Sequence, residues 1–269
     1  MDLINRYREF LPESRRVVVK VGTRVIEQGT GRPDKRSMKS LVSQIANLRS
    51  NGYEIILVSS GAIGAGVDAL GLKSRPTAVS DLQMCAAVGQ ALLMAQYEGL
   101  FKEQGLIIGQ ILLTHADFQH RLRLNNTKRT LEHLLRHNVI PIINENDVVA
   151  DEEVKASLSL GDNDYLASLV VKLTRADLLV ILSTVDGVLD EAGHRVPCFE
   201  NLADAFKLVN PSLPNGGLSK GGMDSKLRAA QNAVKAGCPT VIANGRSARV
   251  LTQILAGKDA GTLILGSAL

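Results

Sequence analysis

Lysines and glycines stand together at two points of this chain, a combination suited to binding phosphate. Lys20 is followed by Gly22 and Thr23, and the segment KGGMDSK at residues 220–226 opens a predicted helix. Backbone N–H groups at helix N-termini and lysine ammonium groups both attract phosphate oxygens. Phosphoryl transfer needs positive charge around the transferring group more than covalent help from the protein. The pattern therefore indicates phosphate binding, and a lysine on each side of one phosphoryl group would favour its transfer.

A third glycine-rich segment, SSGAIGAG at residues 59–66, follows the apolar run Ile55–Val58. Its glycines read G-x-x-G-x-G, the reverse of the dinucleotide fingerprint, and Asp81, about 20 positions further on, belongs to a predicted helix. The chain also lacks the G-x-x-x-x-G-K-[ST] motif of P-loop proteins and the H-R-D and D-F-G motifs of protein kinases. These observations disfavour a dinucleotide-binding site, a P-loop and a protein-kinase site. They do not identify which phosphate compound the chain binds.

Polar residues also cluster at the ends of other apolar runs. Asn144-Glu145-Asn146-Asp147 follows one run and Ser183-Thr184-Val185-Asp186-Gly187 another, while GDND at residues 161–164 opens a helical pattern. Each cluster alone could be a turn or a helix cap. Ligands bind at the carboxyl ends of parallel strands, however, so several such clusters on one sheet edge favour a site. Asp147, Asp162 and Asp164 could receive an ammonium group or orient the lysines.

The nature of the acceptor decides whether a general base is needed. The five histidines lie in predicted helix or loop surfaces, and none is a convincing base. A carboxylate acceptor is already ionised at neutral pH, so it can attack a phosphoryl group without one.

The elements that must position these residues alternate between strands and helices. Strands are predicted at 17–21, 54–58, 106–113, 139–143, 178–182, 240–243 and 262–265, and helices at 37–49, 81–101, 125–136, 163–173 and 225–236. Continuous apolar strands separated by helices are typical of a mostly parallel sheet covered on both faces. We therefore predict a three-layer α/β/α sandwich that forms a single domain over residues 1–269. The helix at 81–101 is nearly apolar on all sides, which predicts burial in a core or at a subunit contact.

Composition excludes several classes of protein. The chain has 269 residues, a formal charge of +4, only 3% aromatic residues and no Trp, which disfavours nucleic-acid binding. Three widely spaced cysteines argue against a disulfide framework or a zinc site. The N-terminus shows no signal-peptide pattern, and no uncharged stretch is long enough to span a membrane. The sequence therefore predicts a cytoplasmic protein.

Seven segments together resemble the glutamate 5-kinases of the amino-acid kinase superfamily. They are VVVKVGT (17–23), SSGAIGAG (59–66), AAVGQALLM (86–94), GQILLT (109–114), PIINENDVV (141–149), GDND (161–164) and GGMDSK (221–226). The resemblance covers essentially the whole chain, and NENDVV followed by GDND is particular to these kinases. It implies transfer of the γ-phosphoryl group of ATP, carried with Mg²⁺, to the side-chain carboxylate of L-glutamate. The product would be L-glutamyl 5-phosphate, the first intermediate of proline biosynthesis.

The resemblance also implies a role for particular residues. Lys20 and Lys226 would stabilise the transferring phosphoryl group, and Asp164 would hold both lysines. The implied glutamate contacts are Ser60, Gly61, Ala62, Asp147 and Asn163. The implied nucleotide contacts are Lys20, Ser183, Thr184, Lys220, Gly221, Gly222, Met223, Asp224, Ser225 and Lys226. Feedback inhibition by L-proline, a homo-oligomer (dimer or tetramer) and hand-over of the labile product to glutamate-5-semialdehyde dehydrogenase are implied as well.

The sequence departs from the family pattern at three points. It ends after the kinase sheet, where many relatives continue into a PUA domain. The segment DEEVKASLSL at 151–160, the expected lid over glutamate, is somewhat longer than the family pattern. Asp224 stands where a small hydroxyl residue is more usual, which predicts an extra negative charge near ATP.

Two alternatives to a glutamate 5-kinase remain. One is another amino-acid kinase, acting on acetylglutamate, aspartate or uridylate, against which NENDVV and GDND argue. The other is a sensor that binds a nucleotide or an amino acid without transfer, for which two lysines around one phosphate would be superfluous.

Overall fold

A computed structural model gives the structure of the chain and describes residues 8–28, 32–150, 163–209 and 222–265. The predicted lid at 151–160 and the predicted site residues Lys220 and Gly221 lie outside the described residues. No helix in the described part of the chain is long and apolar enough to cross a membrane.

Strands and helices alternate through most of the described chain. The strands are β1 (Arg16–Val21), β2 (Glu54–Val58), β3 (Ile107–Leu113), β4 (Val139–Glu145), β5 (Leu178–Ser183), β6 (Cys198–Phe199), β7 (Thr240–Asn244) and β8 (Thr262–Ile264). The α-helices are α1 (Thr23–Ile26), α2 (Lys35–Ser50), α3 (Ala62–Ala69), α4 (Val79–Lys102), α5 (His115–Gln119), α6 (Arg121–Arg136), α7 (Asn163–Thr174), α8 (Leu202–Leu208), α9 (Met223–Lys235) and α10 (Val250–Leu255). Every predicted element is present, with ends that differ by a few residues, whereas α1, α3, α5, α8, α10 and β6 were not predicted.

The chain divides into two compact units. The N-terminal unit comprises Val21–Asp151, and the C-terminal unit comprises Met1–Lys20 together with Glu152–Leu269. That the two form a single domain stays a prediction.

Strands of the N-terminal unit run in the order β3-β4-β2. Both pairs are parallel, with Leu57 opposite Ile142 and Gln110 also opposite Ile142. The middle strand is apolar and buried, as expected for a strand covered on both faces. Parallel pairing places the carboxyl ends of β2 and β4 side by side, and Ser59 N donates to Ile143 O at 2.9 Å. The SSGAIGAG and NEND segments therefore start from the same edge.

In the C-terminal unit the strand order is β1-β5-β7-β8-β6. β5 and β7 are parallel, as are β6 and β8, while β7 and β8 are antiparallel. Helices α7 and α9 pack against each other and contact β5. The predicted α/β fold around mostly parallel strands is confirmed, with one antiparallel pair near its end.

Helix α4 does not have the uniform burial that its composition predicts. Cys85, Leu93 and Tyr97 are buried, whereas Met84 and Leu92 are 44% and 41% exposed. Within the single chain the helix therefore buries one face, against α3, α2 and β3, and exposes the other.

Candidate active site

The centre of the candidate site is a carboxylate at the start of α7. Asp164 lies in the first turn of the helix and is fully buried, and Asn163 before it is 7% exposed. A negative charge in the first turn of a helix is stabilised by the partial positive charge of the free N–H groups there. A buried carboxylate nevertheless needs charged partners.

Two lysines supply that charge from different elements. Lys20, near the end of β1, is 2% exposed, and its Nζ lies 2.7 Å from Asp164 Oδ1. Lys226, in the first turn of α9, is 12% exposed, and its Nζ lies 3.1 Å from Asp164 Oδ2. Each carboxylate oxygen therefore faces one lysine, and the trio carries a net positive charge.

The pKa of Asp164 results from two opposing effects. Burial acts to raise it, but the charges and hydrogen bonds of Lys20 and Lys226 outweigh burial, so the pKa lies below the usual value for an aspartate. Asp164 is therefore ionised at neutral pH and holds the two ammonium groups near each other.

The first turn of α9 adds further hydrogen-bond donors. Gly222 is the N-cap of the helix and has no side chain that could cap its first N–H groups. N–H groups at a helix N-terminus, beside an ammonium group, suit a phosphate. Lys226 Nζ also donates to Gly222 O at 3.1 Å, which ties the lysine to the start of its own helix.

Asp224 occupies the position where the sequence predicts an extra negative charge near ATP. Its carboxylate is exposed and accepts from Arg228 Nε at 2.7 Å, one turn further along α9. The neighbouring guanidinium therefore offsets the charge of Asp224 locally.

The end of β5 carries two further residues with a predicted nucleotide role, and the end of β7 lies beside it. Ser183 is half-buried at the end of β5 and accepts through its carbonyl from Gly245 N at 2.8 Å. Thr184 follows it in the bend after the strand. Asn244, at the end of β7, donates from Nδ2 to Asp186 Oδ1 at 2.9 Å and so links the two strand ends. Asn244 was not predicted as a site residue, although its signal, a polar residue ending an apolar strand, is visible in the sequence.

In the N-terminal unit, the SSGAIGAG segment is only partly a loop. Ser59 and Ser60 are buried after β2, and Gly61 has a φ of +98° as the N-cap of α3. That left-handed conformation favours glycine. From Ala62 onward the segment is helical, so only Ser59, Ser60 and Gly61 connect β2 to α3.

Two residues of α4 hold the strand ends in place, and neither was predicted. The Tyr97 hydroxyl and Ser59 Oγ lie 3.0 Å apart in a buried hydrogen bond. Asn144 Nδ2 donates to Gln90 Oε1 at 2.7 Å, and Asn144 Oδ1 accepts from Glu145 N. Asp147, half-buried, follows in the turn after β4. Polar residues within an otherwise apolar helix were the available signal for Gln90 and Tyr97.

The structure thus brings together Lys20, Asp164, Lys226 and Ser225 in the C-terminal unit, with Asn163 adjacent in the chain. In the N-terminal unit, β2 leads into Ser60, Gly61 and Ala62. It is paired with β4, the strand that precedes Asp147.

A family model described as the amino acid kinase family matches residues 15–244. The glutamate 5-kinase of Symbiobacterium thermophilum is 44% identical over 264 residues, which is 95% of this chain and 98% of that protein. The glutamate 5-kinase of Methylococcus capsulatus is 44% identical over 265 residues, 96% of this chain and 69% of that protein.

Solved structures show a similar fold. The carbamate kinase from Giardia lamblia bound to AMP-PNP matches with a TM-score of 0.64 and 16% identity, covering 95% of this chain and 99% of that one. The N-acetylglutamate synthase from Neisseria gonorrhoeae matches with a TM-score of 0.69 and 15% identity, covering 100% of this chain and 65% of that one.

Proposed function

Because this chain belongs to the amino acid kinase family, we propose that it transfers the γ-phosphoryl group of ATP to the side-chain carboxylate of L-glutamate. The product is L-glutamyl 5-phosphate, and the reaction is the first step of proline biosynthesis. The observation that carries the transfer is the buried Lys20–Asp164–Lys226 trio. Relatives that share 44% of their residues over nearly the whole chain are glutamate 5-kinases, which supports glutamate as the acceptor.

The charges of the trio suit the transition state of this reaction. One oxygen of the glutamate carboxylate forms the new bond to the γ-phosphorus, while the bond from that phosphorus to the β–γ bridging oxygen breaks and ADP leaves. Negative charge spreads over the transferring group and the leaving oxygen. Lys20 and Lys226 both contact the carboxylate of Asp164. Their ammonium groups are therefore already in place to offset the negative charge of the transition state. The nucleophile is ionised at neutral pH, so no residue has to remove a proton from it.

Magnesium enters this proposal with the nucleotide. In the described residues, no group of three or more His, Cys, Asp or Glu side chains could hold a metal ion. Asp164, the buried carboxylate of the site, is engaged by two lysines. These observations fit a Mg²⁺ ion bound mainly by ATP phosphates and water, which is how Mg²⁺ commonly binds in kinase sites. The ion would neutralise part of the phosphate charge.

A coupled assay tests the function. Purified protein with MgATP should form ADP only when L-glutamate is present, and hydroxylamine should trap the acyl phosphate as a hydroxamate. Acetylglutamate, aspartate and uridylate serve as competing acceptors. Turnover with one of these instead of glutamate would identify another amino-acid kinase, and binding of ATP without any turnover would indicate a sensor.

We assign the glutamate contacts to Ser60, Gly61, Ala62, Asp147 and Asn163. Asp147→Ala should raise the KM for glutamate at least about tenfold, because a hydrogen bond to a charged group contributes about 1.5–3 kcal/mol. The KM for ATP should change less than about twofold. Initial rates against each substrate measure both constants. Asp81→Ala, which removes an exposed carboxylate from α4 of the same unit, is the control. An equal rise in the KM for ATP would contradict the assignment.

We further propose that L-proline competes with glutamate, since both carry an α-ammonium and an α-carboxylate group. Proline should raise the apparent KM for glutamate and leave the maximal rate and the KM for ATP nearly unchanged. Rates measured against glutamate at several fixed proline concentrations test this directly. Inhibition that saturating glutamate does not relieve would instead require a separate effector site.

A further inference from the structure

Asn244, the last residue of β7, forms one hydrogen bond from each end of its side-chain amide. Its Nδ2 donates to Asp186 Oδ1 at 2.9 Å, and its Oδ1 accepts from Arg246 N at 3.0 Å. The first bond reaches the bend that follows β5, and the second lies within the turn that follows β7. Asparagine suits this position because its short side chain offers a donor and an acceptor together.

The bond to Asp186 joins the two chain segments beyond the end of the sheet. Ser183 lies opposite Asn244 in the parallel pairing of β5 and β7, and its carbonyl accepts from Gly245 N at 2.8 Å. Residues 184–187 then form a bend outside the sheet. The side chain of Asn244 reaches into that bend, so it adds a second connection after the last backbone bond between the strands.

These strand ends lie at the same edge of the sheet as the candidate phosphate site. Helix α9 contacts β5 and β7 and ends shortly before β7 begins. It therefore runs back along the sheet, and its first turn, with Lys226, lies toward the carboxyl ends of both strands. The predicted nucleotide contacts Ser183 and Thr184 have half-buried side chains at this edge, which a ligand can still reach.

We propose that Asn244 is a positioning residue for the nucleotide, which orders the bend at Ser183 and Thr184 through its bond to Asp186. A binding site that is ordered in advance loses less conformational entropy when its ligand binds, and its affinity is higher for that reason. Asn244 does not have to touch the nucleotide for this effect. The inference rests on the proposed function for the identity of the nucleotide, and on the two hydrogen bonds for the ordering of the bend.

Asn244→Ala should raise the Kd for MgATP and the KM for ATP about three- to tenfold, the range expected for the loss of one or two hydrogen bonds. The KM for glutamate and the kcat at saturating ATP should change less than about twofold, because Lys20, Asp164 and Lys226 stay in place. Titration calorimetry without glutamate measures the Kd, and initial rates measure the kinetic constants.

Asn201 provides a matched control. It is the exposed N-cap of α8, and its Oδ1 accepts from Ala203 N at 2.9 Å. That bond reaches the backbone two residues further on, as the bond from Asn244 to Arg246 does. Asn201→Ala therefore removes the same residue type and the same kind of local contact from the same unit, and its Kd for MgATP should stay within about twofold of wild type.

An exchange of the two side chains tests the bond itself. Asn244→Asp keeps an oxygen for Arg246 N but places a second negative charge opposite Asp186, so at low salt it should bind MgATP at least as weakly as Asn244→Ala. Asp186→Asn added to that variant restores a donor opposite an acceptor and the original net charge. The double variant should bind MgATP within about twofold of wild type. Thermal unfolding without nucleotide checks that each variant is folded.

The outcomes separate this inference from the proposed function. The role of Asn244 is overturned if Asn244→Ala binds MgATP within about twofold of wild type, or if Asn201→Ala weakens binding as much. A folded double variant that binds as weakly as Asn244→Asp also overturns it. If wild type binds MgATP but phosphorylates no glutamate, the proposed function fails, and the series of Kd values still decides the role of Asn244. A wild-type chain that binds no MgATP contradicts both.

Discussion

Lys226→Ala should lower kcat about 10²- to 10³-fold, the usual effect of removing one well-placed donor to developing negative charge. The fold should stay intact, because Asp164 keeps Lys20 Nζ at 2.7 Å and the Ser225 hydroxyl at 3.1 Å. Because its contribution is made mainly in the transition state, the loss should appear in kcat more than in KM. Steady-state rates with varied ATP and varied glutamate separate the two.

Lys235→Ala is the matched control for this variant. Lys235 is an exposed residue in the last turn of α9, so its removal changes the net charge equally on the same helix. Its kcat should match that of wild type. A Lys226→Ala enzyme that keeps more than half of wild-type turnover would remove Lys226 from the proposed mechanism.

Lys20 makes a less clean test of mechanism than Lys226. It is 2% exposed, compared with 12% for Lys226, so alanine at position 20 also leaves a cavity and an under-compensated carboxylate. A loss of activity in Lys20→Ala therefore combines a change in catalysis with a loss of stability.

The convergence of the lysines and Asp164 could be predicted because it depends mostly on strand and helix ends. β5 and β7 are short apolar runs bounded by polar residues, and their predicted ends agree with the structure within one residue. Once the strands are parallel, their carboxyl ends share an edge, so polar residues that follow them fall near one another. The sequence alone therefore predicts which candidate residues lie near one another, but not the distances between them.

Contacts that depend on packing could not be predicted in the same way. Gly64 and Gly66 lower the helix propensity of residues 62–69, which is why α3 was not predicted. Packing against α4 overrides that local preference. The contacts of Ser225 with Asp164 and of Tyr97 with Ser59 depend on side-chain rotamers across two elements, and no local pattern encodes those.

The packing of α3 on α4 predicts the largest effect on stability. A Cβ atom built on Gly89 would lie 1.8 Å from Ala62 O and 2.4 Å from Gly66 N. Both atoms belong to the backbone of α3, so the two helices would have to separate to admit a methyl group. Gly89→Ala should therefore destabilise the protein by about 3 kcal/mol, at the upper end for overpacking, and lower Tm by roughly 6–12 °C. Thermal unfolding monitored by circular dichroism measures the change.

Gly99→Ala on the same helix should have the opposite effect, and the contrast isolates the cause. A Cβ on Gly99 meets no atom within 4 Å, so alanine there gains about 0.5–1 kcal/mol from helix propensity without a clash.

Movement of α3 in Gly89→Ala should also reach Ser60 and Gly61, which lead directly into that helix, and raise the KM for glutamate more than the KM for ATP. If Gly89→Ala melts at the same temperature as Gly99→Ala, α3 and α4 do not approach as closely as the structure shows. If it melts lower but binds glutamate normally, the turn at Ser60 is held by β2 and Tyr97 rather than by α3.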